Sequence, residues 1–298
     1  MARITLLDGG MGQELVRRSG DAPTGLWSTR VMMDHPGLVE AVHRDYFNAG
    51  ATIATANTYA IFADRLDREG LGDQLADLRA MAMAEARAAR DAHGSGRVAA
   101  AIGPLRGSYR PEAFPDHDTA VTEYRAALEA LAPEADLVIF ETVASLAHAR
   151  AALDASEDCA RPVWIAATVD DEDGTRLRSG EPVADLARAL KGRHAEAALA
   201  NCSAPEAMGP ALGLLAESGV PFGAYANGFE QITKAFLGEV QTVDVLTSRR
   251  DMGPERYAAI AMSWVGQGAT IIGGCCETGP DHIAAIAAAL RAGGHEIV

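Results

Sequence analysis

The sequence predicts an α/β chain folded as a (β/α)8 barrel of the TIM type. Eight apolar stretches rich in β-branched residues recur along its 298 residues, each bounded by turn residues. Helical stretches alternate with them, and eight such pairs in this length is the count of that barrel. The apolar stretches are also nearly continuous in hydrophobicity, which suits parallel strands covered on both faces. A doubly wound sheet satisfies the same spacing and stands as the runner-up.

Strands are expected at 4–10, 51–59, 97–104, 136–143, 162–169, 195–203, 220–228 and 268–276. Between them the apolar residues shift to a three-to-four-residue period. In 36–48, for instance, Leu38, Val39, Val42, Tyr46 and Phe47 share one side of a helix. Further helices are expected at 74–92, 119–131, 146–153, 183–190, 205–217, 254–265 and 280–292. Ser203 or Pro205, Gly253-Pro254 and Thr278-Gly279-Pro280 supply start signals for the later ones. The alanine-rich runs at 80–92 and 284–289 are good helix formers rather than low-complexity sequence. The stretches 106–118, 170–182 and 230–253 break the rhythm. Each follows a strand, where a barrel carries its active-site loops. No linker divides the chain, so one domain over 1–298 is expected.

Composition narrows the function classes. Hydrophobic residues make up 48 % of the chain, enough for a large core. A net charge of −15 and a pI near 4.9 argue against nucleic acid or an anionic membrane as partner. Such charge serves solubility first, and secondarily draws cationic small molecules. No apolar run reaches the roughly 20 residues of a membrane helix. Asp8 arrives too early for a signal peptide, so the chain reads as cytoplasmic, with self-association left open. Four cysteines, two of them adjacent, do not suggest a disulfide framework; in a reducing compartment they point to metal or catalysis.

Three of those cysteines fall at strand ends. Strand six closes on Asn201-Cys202-Ser203 and strand eight on Gly273-Gly274-Cys275-Cys276, both on the face where a barrel does its chemistry. Three thiols there would fill three corners of a tetrahedral metal site and leave the fourth open, as catalytic zinc requires. Gly273-Gly274 permits the sharp turn that lets adjacent cysteines reach one ion. Burial as small apolar residues, or a redox-active pair at Cys275 and Cys276, are the competing readings. Cys159, in a polar loop, reads as packing.

Asp8 and Glu141 end strands one and four, and Asn57 and Asn227 lie at the ends of strands two and seven. Two carboxylates on one buried face suggest a cation pocket, such as one for an α-ammonium group. Helix capping by Asp8 and a structural ion pair for Glu141 are the alternatives. Gly9-Gly10-Met11-Gly12 lacks the GxGxxG spacing of a nucleotide loop. Gly9 and Gly10 either offer amides to a substrate carboxylate or allow a tight turn. The eight histidines form no HxH or HExxH pattern, and His282 reads as solvated. Arg106, Tyr109 and Arg110 read as a solvated loop, with a lid as the second reading.

Taken together, Asp8-Gly9-Gly10-Met11-Gly12, Ala56-Asn57-Thr58-Tyr59, Ile139-Phe140-Glu141-Thr142, Asn201-Cys202-Ser203 and the run from Gly273-Gly274-Cys275-Cys276 to Ile283 resemble the homocysteine S-methyltransferase family. The elements appear in the family's order over nearly the whole chain. That family comprises zinc barrels using S-methylmethionine, S-adenosylmethionine, betaine or a methylfolate. The resemblance implies zinc on Cys202, Cys275 and Cys276, and a homocysteine ammonium held by Asp8 and Glu141. It also implies a small methyl donor as second substrate, and no catalytic side chain beyond the metal centre. A selenol or other thiol acceptor, and a zinc barrel without catalysis, are the alternatives. Ala226 stands where many members place a proline, and Glu277 where small or basic residues are frequent.

Overall fold

The computed structural model describes residues 1–22, 24–230 and 247–298. All eight expected strands are present, each shorter than expected. They are β1 (Arg3–Leu6), β2 (Ile53–Thr55), β3 (Arg97–Ile102), β4 (Leu137–Val143), β5 (Val163–Ala167), β6 (Ala197–Asn201), β7 (Phe222–Ala226) and β8 (Ile271–Gly274). A short β9 (Glu296–Ile297), not expected from the sequence, pairs with the start of β1.

The sheet runs β2-β3-β4-β5-β6-β7-β8-β1-β9, and every strand ladder in it is parallel. Strand order follows chain order and β1 returns to β8. That is the curl of a TIM-type barrel; a doubly wound sheet reverses its order at a switch point. No ladder joins β1 to β2 among the described residues. Individual bonds cross that seam instead: Thr52 N donates to Leu6 O at 2.7 Å, and Leu6 N to Thr52 Oγ1 at 3.3 Å.

The period-two alternation of the strands sorts their side chains into two cores. Leu137 and Ile139 of β4, Trp164 and Ala166 of β5, Ala197 and Leu199 of β6 and Ile271 of β8 fill the barrel interior. The intervening residues, such as Val138, Phe140, Ile165 and Ala198, pack outward under the helices. A cavity opens at the strands' C-terminal mouth, above this filled interior.

The helices are α1 (Met11–Ser19), α2 (Ser28–Asp34), α3 (Leu38–Ala49), α4 (Ala63–Arg68), α5 (Leu75–His93), α6 (His117–Leu131), α7 (Leu146–Ala155), α8 (Val183–Leu190), α9 (Pro205–Leu215), α10 (Pro254–Gly266) and α11 (Pro280–Ala292). Eight match the expected helices; α1, α2 and α4 are additional. Gly37, with φ of 85°, delays the start of α3 to Leu38. No described helix is long and apolar enough to cross a membrane. Most of the loop expected at 230–253 lies outside the described residues.

Candidate active site at the mouth of the barrel

Past β8 the chain turns at once through Cys275 and Cys276. Thr278 folds that turn, its hydroxyl donating to Cys275 O at 2.6 Å and its amide to the same carbonyl at 3.2 Å. Gly9 and Gly10 let the turn lie against the end of β1. A Cβ at Gly9 would stand 2.2 Å from Thr278 O, and one at Gly10 2.7 Å from Cys275 O. The Gly10 amide donates to Thr278 O at 2.8 Å. That amide is engaged within the chain, so of the two readings the tight approach of two backbones is the one that accounts for glycine at position 10.

Cys202 follows β6 in a left-handed conformation, φ 48°, which is costly for a residue with a Cβ. Its neighbours hold it there. Ser203 Oγ accepts from Val169 N at 2.8 Å, and Asn201 Oδ1 accepts from Thr142 N at 3.1 Å. Asp171 accepts from Ala204 N at 2.8 Å and pairs with Arg178 at 2.7 Å. Trp27, Tyr109 and Thr142 share the positive φ and also line the mouth, so backbone strain gathers at this site.

The sulfurs of Cys202, Cys275 and Cys276 lie within 4.8 Å of one another. Cys202 and Cys275 are joined as a disulfide, which corrects the expectation that these cysteines form none. The partner of Cys275 is Cys202 rather than the adjacent Cys276, whose thiol is free. Burial pushes the Cys276 thiol up to about 12. Cys159 is also free and packs against the outer core. The trio fits a thiophilic ion: tetrahedral Zn–S bonds of about 2.3 Å place sulfurs roughly 3.8 Å apart. Reduction of the disulfide would make all three available as donors.

Two carboxyls line the same cavity. Asp8 is 3 % exposed; Thr55 N donates to its Oδ2 and Thr55 Oγ1 to its Oδ1, each at 2.7 Å. Burial outweighs these bonds and pushes the carboxyl up to about 7. Glu141 is likewise raised to about 7 by burial, with the Asp8 charge adding, although Tyr225 Oη donates to its Oε1 at 2.8 Å. Two buried acids thus line one cavity with both carboxyls raised toward neutrality.

Asn57 lines the cavity, with its Nδ2 donating to Ser28 O at 3.3 Å. Asn227 is not among the lining residues; its Oδ1 accepts from Phe229 N at 3.2 Å and shapes the turn after β7. Tyr109 lines the cavity under the Arg178 guanidinium, while Arg106 and Arg110 pair with Glu123 and Glu112 on the outside. His282 is not simply solvated: its Nδ1 accepts from Gly279 N at 3.2 Å and its Nε2 lies 3.0 Å from Met252 O.

Sequence reasoning missed Gln13, Trp27, Thr55 and the aromatic wall. Trp27, Tyr59, Tyr109, Tyr225 and Phe229 line a cavity of about 140 Å³. They come from four separate stretches, so no local pattern announces them.

The family model for homocysteine S-methyltransferases matches residues 5–290. The chain belongs to the homocysteine S-methyltransferase family. Within that family it is 31 % identical to the homocysteine S-methyltransferase YbgG of Bacillus subtilis, over 97 % of this chain and 95 % of that one. Among solved structures it resembles the Escherichia coli homocysteine methyltransferase MmuM at 28 % identity. The oxidized form of MmuM matches with a TM-score of 0.80, covering 96 % of this chain and 95 % of that one. The metallated form matches at 0.76 with 96 % of both covered. The family match takes in all eight barrel strands except the start of the first, together with Asp8, Glu141 and the three clustered cysteines.

Proposed function

We propose that this chain moves a methyl group from a sulfonium donor to the sulfur of L-homocysteine, giving methionine, with zinc held by Cys202, Cys275 and Cys276. The observation that carries this reading is the convergence of three cysteine sulfurs and two carboxyls on one cavity. A thiol end and an ammonium end are what an amino-thiol substrate presents.

When bound, zinc supplies a substrate thiolate near neutral pH from a thiol whose ordinary pKa is about 8.5. The chain's own residues do the rest. Asp8 and Glu141 take the ammonium, with Thr55 and Tyr225 orienting them. The substrate sulfur is thereby left to reach the cysteine trio lining the same cavity. The donor's S–CH₃ bond breaks as the new one forms, and its electron pair stays on a neutral thioether. Such a displacement needs positioning more than acid–base help.

Charge and shape support a cationic donor. Arg65 is the sole cationic side chain lining the cavity among the described residues. It is occupied over the Tyr59 ring, 6.0 Å from its centroid. Although only 5 % of the chain is aromatic, five of its aromatic residues line this cavity, and such faces attract onium groups. Those faces suit the quaternary ammonium of betaine as well as a sulfonium, so donor choice rests on assay. The small cavity makes S-methylmethionine the first candidate.

Reduced, zinc-loaded protein is expected to form methionine from homocysteine and S-methylmethionine. S-adenosylmethionine, betaine and methyltetrahydrofolate complete the panel. Turnover with betaine or methyltetrahydrofolate and with neither sulfonium would overturn the donor. Bound zinc with no methyl transfer to any thiol or selenol would favour a non-catalytic barrel.

A further inference from the structure

Behind the Asp8 carboxyl lies a histidine that the reaction above does not use. His43, in the second turn of α3, is 0 % exposed. Neither of its ring nitrogens has a hydrogen-bond partner among the described residues. Its Nδ1 lies 3.8 Å from Asp8 Oδ2, beyond hydrogen-bond length by less than an ångström. Burial alone lowers its pKa to about 3, so the ring is neutral and carries one N–H.

A buried N–H without an acceptor is destabilising, and native interiors rarely leave one so. The neighbouring groups narrow what could relieve it. Tyr46, one turn further along α3, already donates its hydroxyl to Thr278 O at 3.0 Å. Thr55 bonds both Asp8 oxygens from the β2 side. Glu141 and Tyr225, which line the same cavity as Asp8, are engaged with each other. Asp8 Oδ2 is thus the acceptor within reach, and a carboxylate accepts far more strongly than a carboxylic acid. An ammonium group in the cavity would favour the carboxylate.

We propose that His43 is a positioning residue for homocysteine, donating its Nδ1–H to Asp8 when that carboxyl faces the substrate ammonium. The bond braces Asp8 from behind, opposite the cavity, while Thr55 holds it from the side. This rests on the reading of Asp8 as an ammonium ligand.

The test uses full-length, reduced, zinc-loaded protein. His43→Leu keeps the bulk and removes the donor, whereas His43→Asn keeps an N–H. The expected result is an increase of about tenfold in the homocysteine KM of His43→Leu. Its kcat, donor KM and zinc content should stay within twofold of wild type, and His43→Asn should recover most of the loss. In wild-type protein the imidazole ¹⁵N signals of His43 should shift when homocysteine is added, and should not shift in Asp8→Asn. That spectrum decides the matter if His43→Leu fails to fold. An unchanged homocysteine KM, or equal weakening of homocysteine and donor, overturns the proposal. So does a His43 spectrum indifferent to homocysteine. If Asp8→Asn itself leaves homocysteine binding intact, the ammonium reading fails and the His43 role with it. If Asp8→Asn weakens binding and His43→Leu does not, the His43 role alone fails.

Discussion

Replacing Cys275 with alanine is expected to strip zinc from the protein and abolish methyl transfer. Wild-type protein, once reduced, should carry about one zinc per chain by elemental analysis, because three thiolates with an exchangeable fourth position form a catalytic site. Cys202, Cys275 and Cys276 are the sole cluster of metal-type side chains among the described residues, and their sulfurs lie within 4.8 Å of one another. Deleting one leaves two donors, too few to hold the ion against water. Loss of an outer-shell partner already weakens metal sites about 10–100-fold, so loss of a ligand should exceed 100-fold. Cys202→Ala and Cys276→Ala should behave alike. Cys159→Ala, remote and packed on the outer core, should keep both zinc and activity. The Cys202–Cys275 bond adds a condition: zinc uptake should require a thiol reductant. Retained zinc and turnover in Cys275→Ala would sink the assignment.

Glu141→Gln is expected to weaken homocysteine binding by about one to two decades while zinc stays bound. A buried charge-assisted contact contributes roughly 1.5–3 kcal/mol, which sets that range. Asp8→Asn should do the same and also destabilise the fold, since Asp8 ties β1 to Thr55 of β2. Both carboxyls are raised to about 7, so the folded protein holds protons that the unfolded chain releases near pH 4. Stability from these groups is therefore full at low pH and lost as pH rises through about 7. At ~1.4 kcal/mol per pKa unit, the loss is on the order of 4 kcal/mol for each group taken alone. An ammonium between them offsets the loss, so the melting-temperature gain from homocysteine should widen from pH 5 to 8 and shrink in Glu141→Gln. An unchanged homocysteine KM in both Asp8→Asn and Glu141→Gln would make these carboxylates structural.

Much of this was legible in the chain because period and punctuation are local. Continuous apolar stretches ending in Asp8, Cys202 or Cys275-Cys276 announce both a parallel strand and a group delivered to its mouth. The short helices α1, α2 and α4 were not legible, since six to nine residues seldom establish a period. β9 is two residues long and exists because β1 offers it an edge. Trp27, Tyr59 and Phe229 read singly as ordinary apolar residues, and only closure of the barrel collects them. His43 sits beside Val42 and Tyr46 on a buried helix face, where sequence shows a polar interruption and no reason for it. The glycines at 9 and 10 were visible, but which backbone they admit depends on Thr278, far along the chain.

The seam between β1 and β2 has a consequence for how the barrel breathes. At its lower end the crossing is held by main chain and by Thr52, yet at its upper end it hangs on the Asp8 side chain. The Thr55 amide proton therefore lies on a side-chain carboxylate instead of a strand carbonyl. Its exchange with solvent deuterium follows the opening of that one contact rather than unfolding of a whole ladder. If homocysteine anchors to Asp8, that single amide becomes a clock for substrate residence: its exchange should slow when the thiol amino acid binds, while amides along the β4–β5 ladder keep their rates.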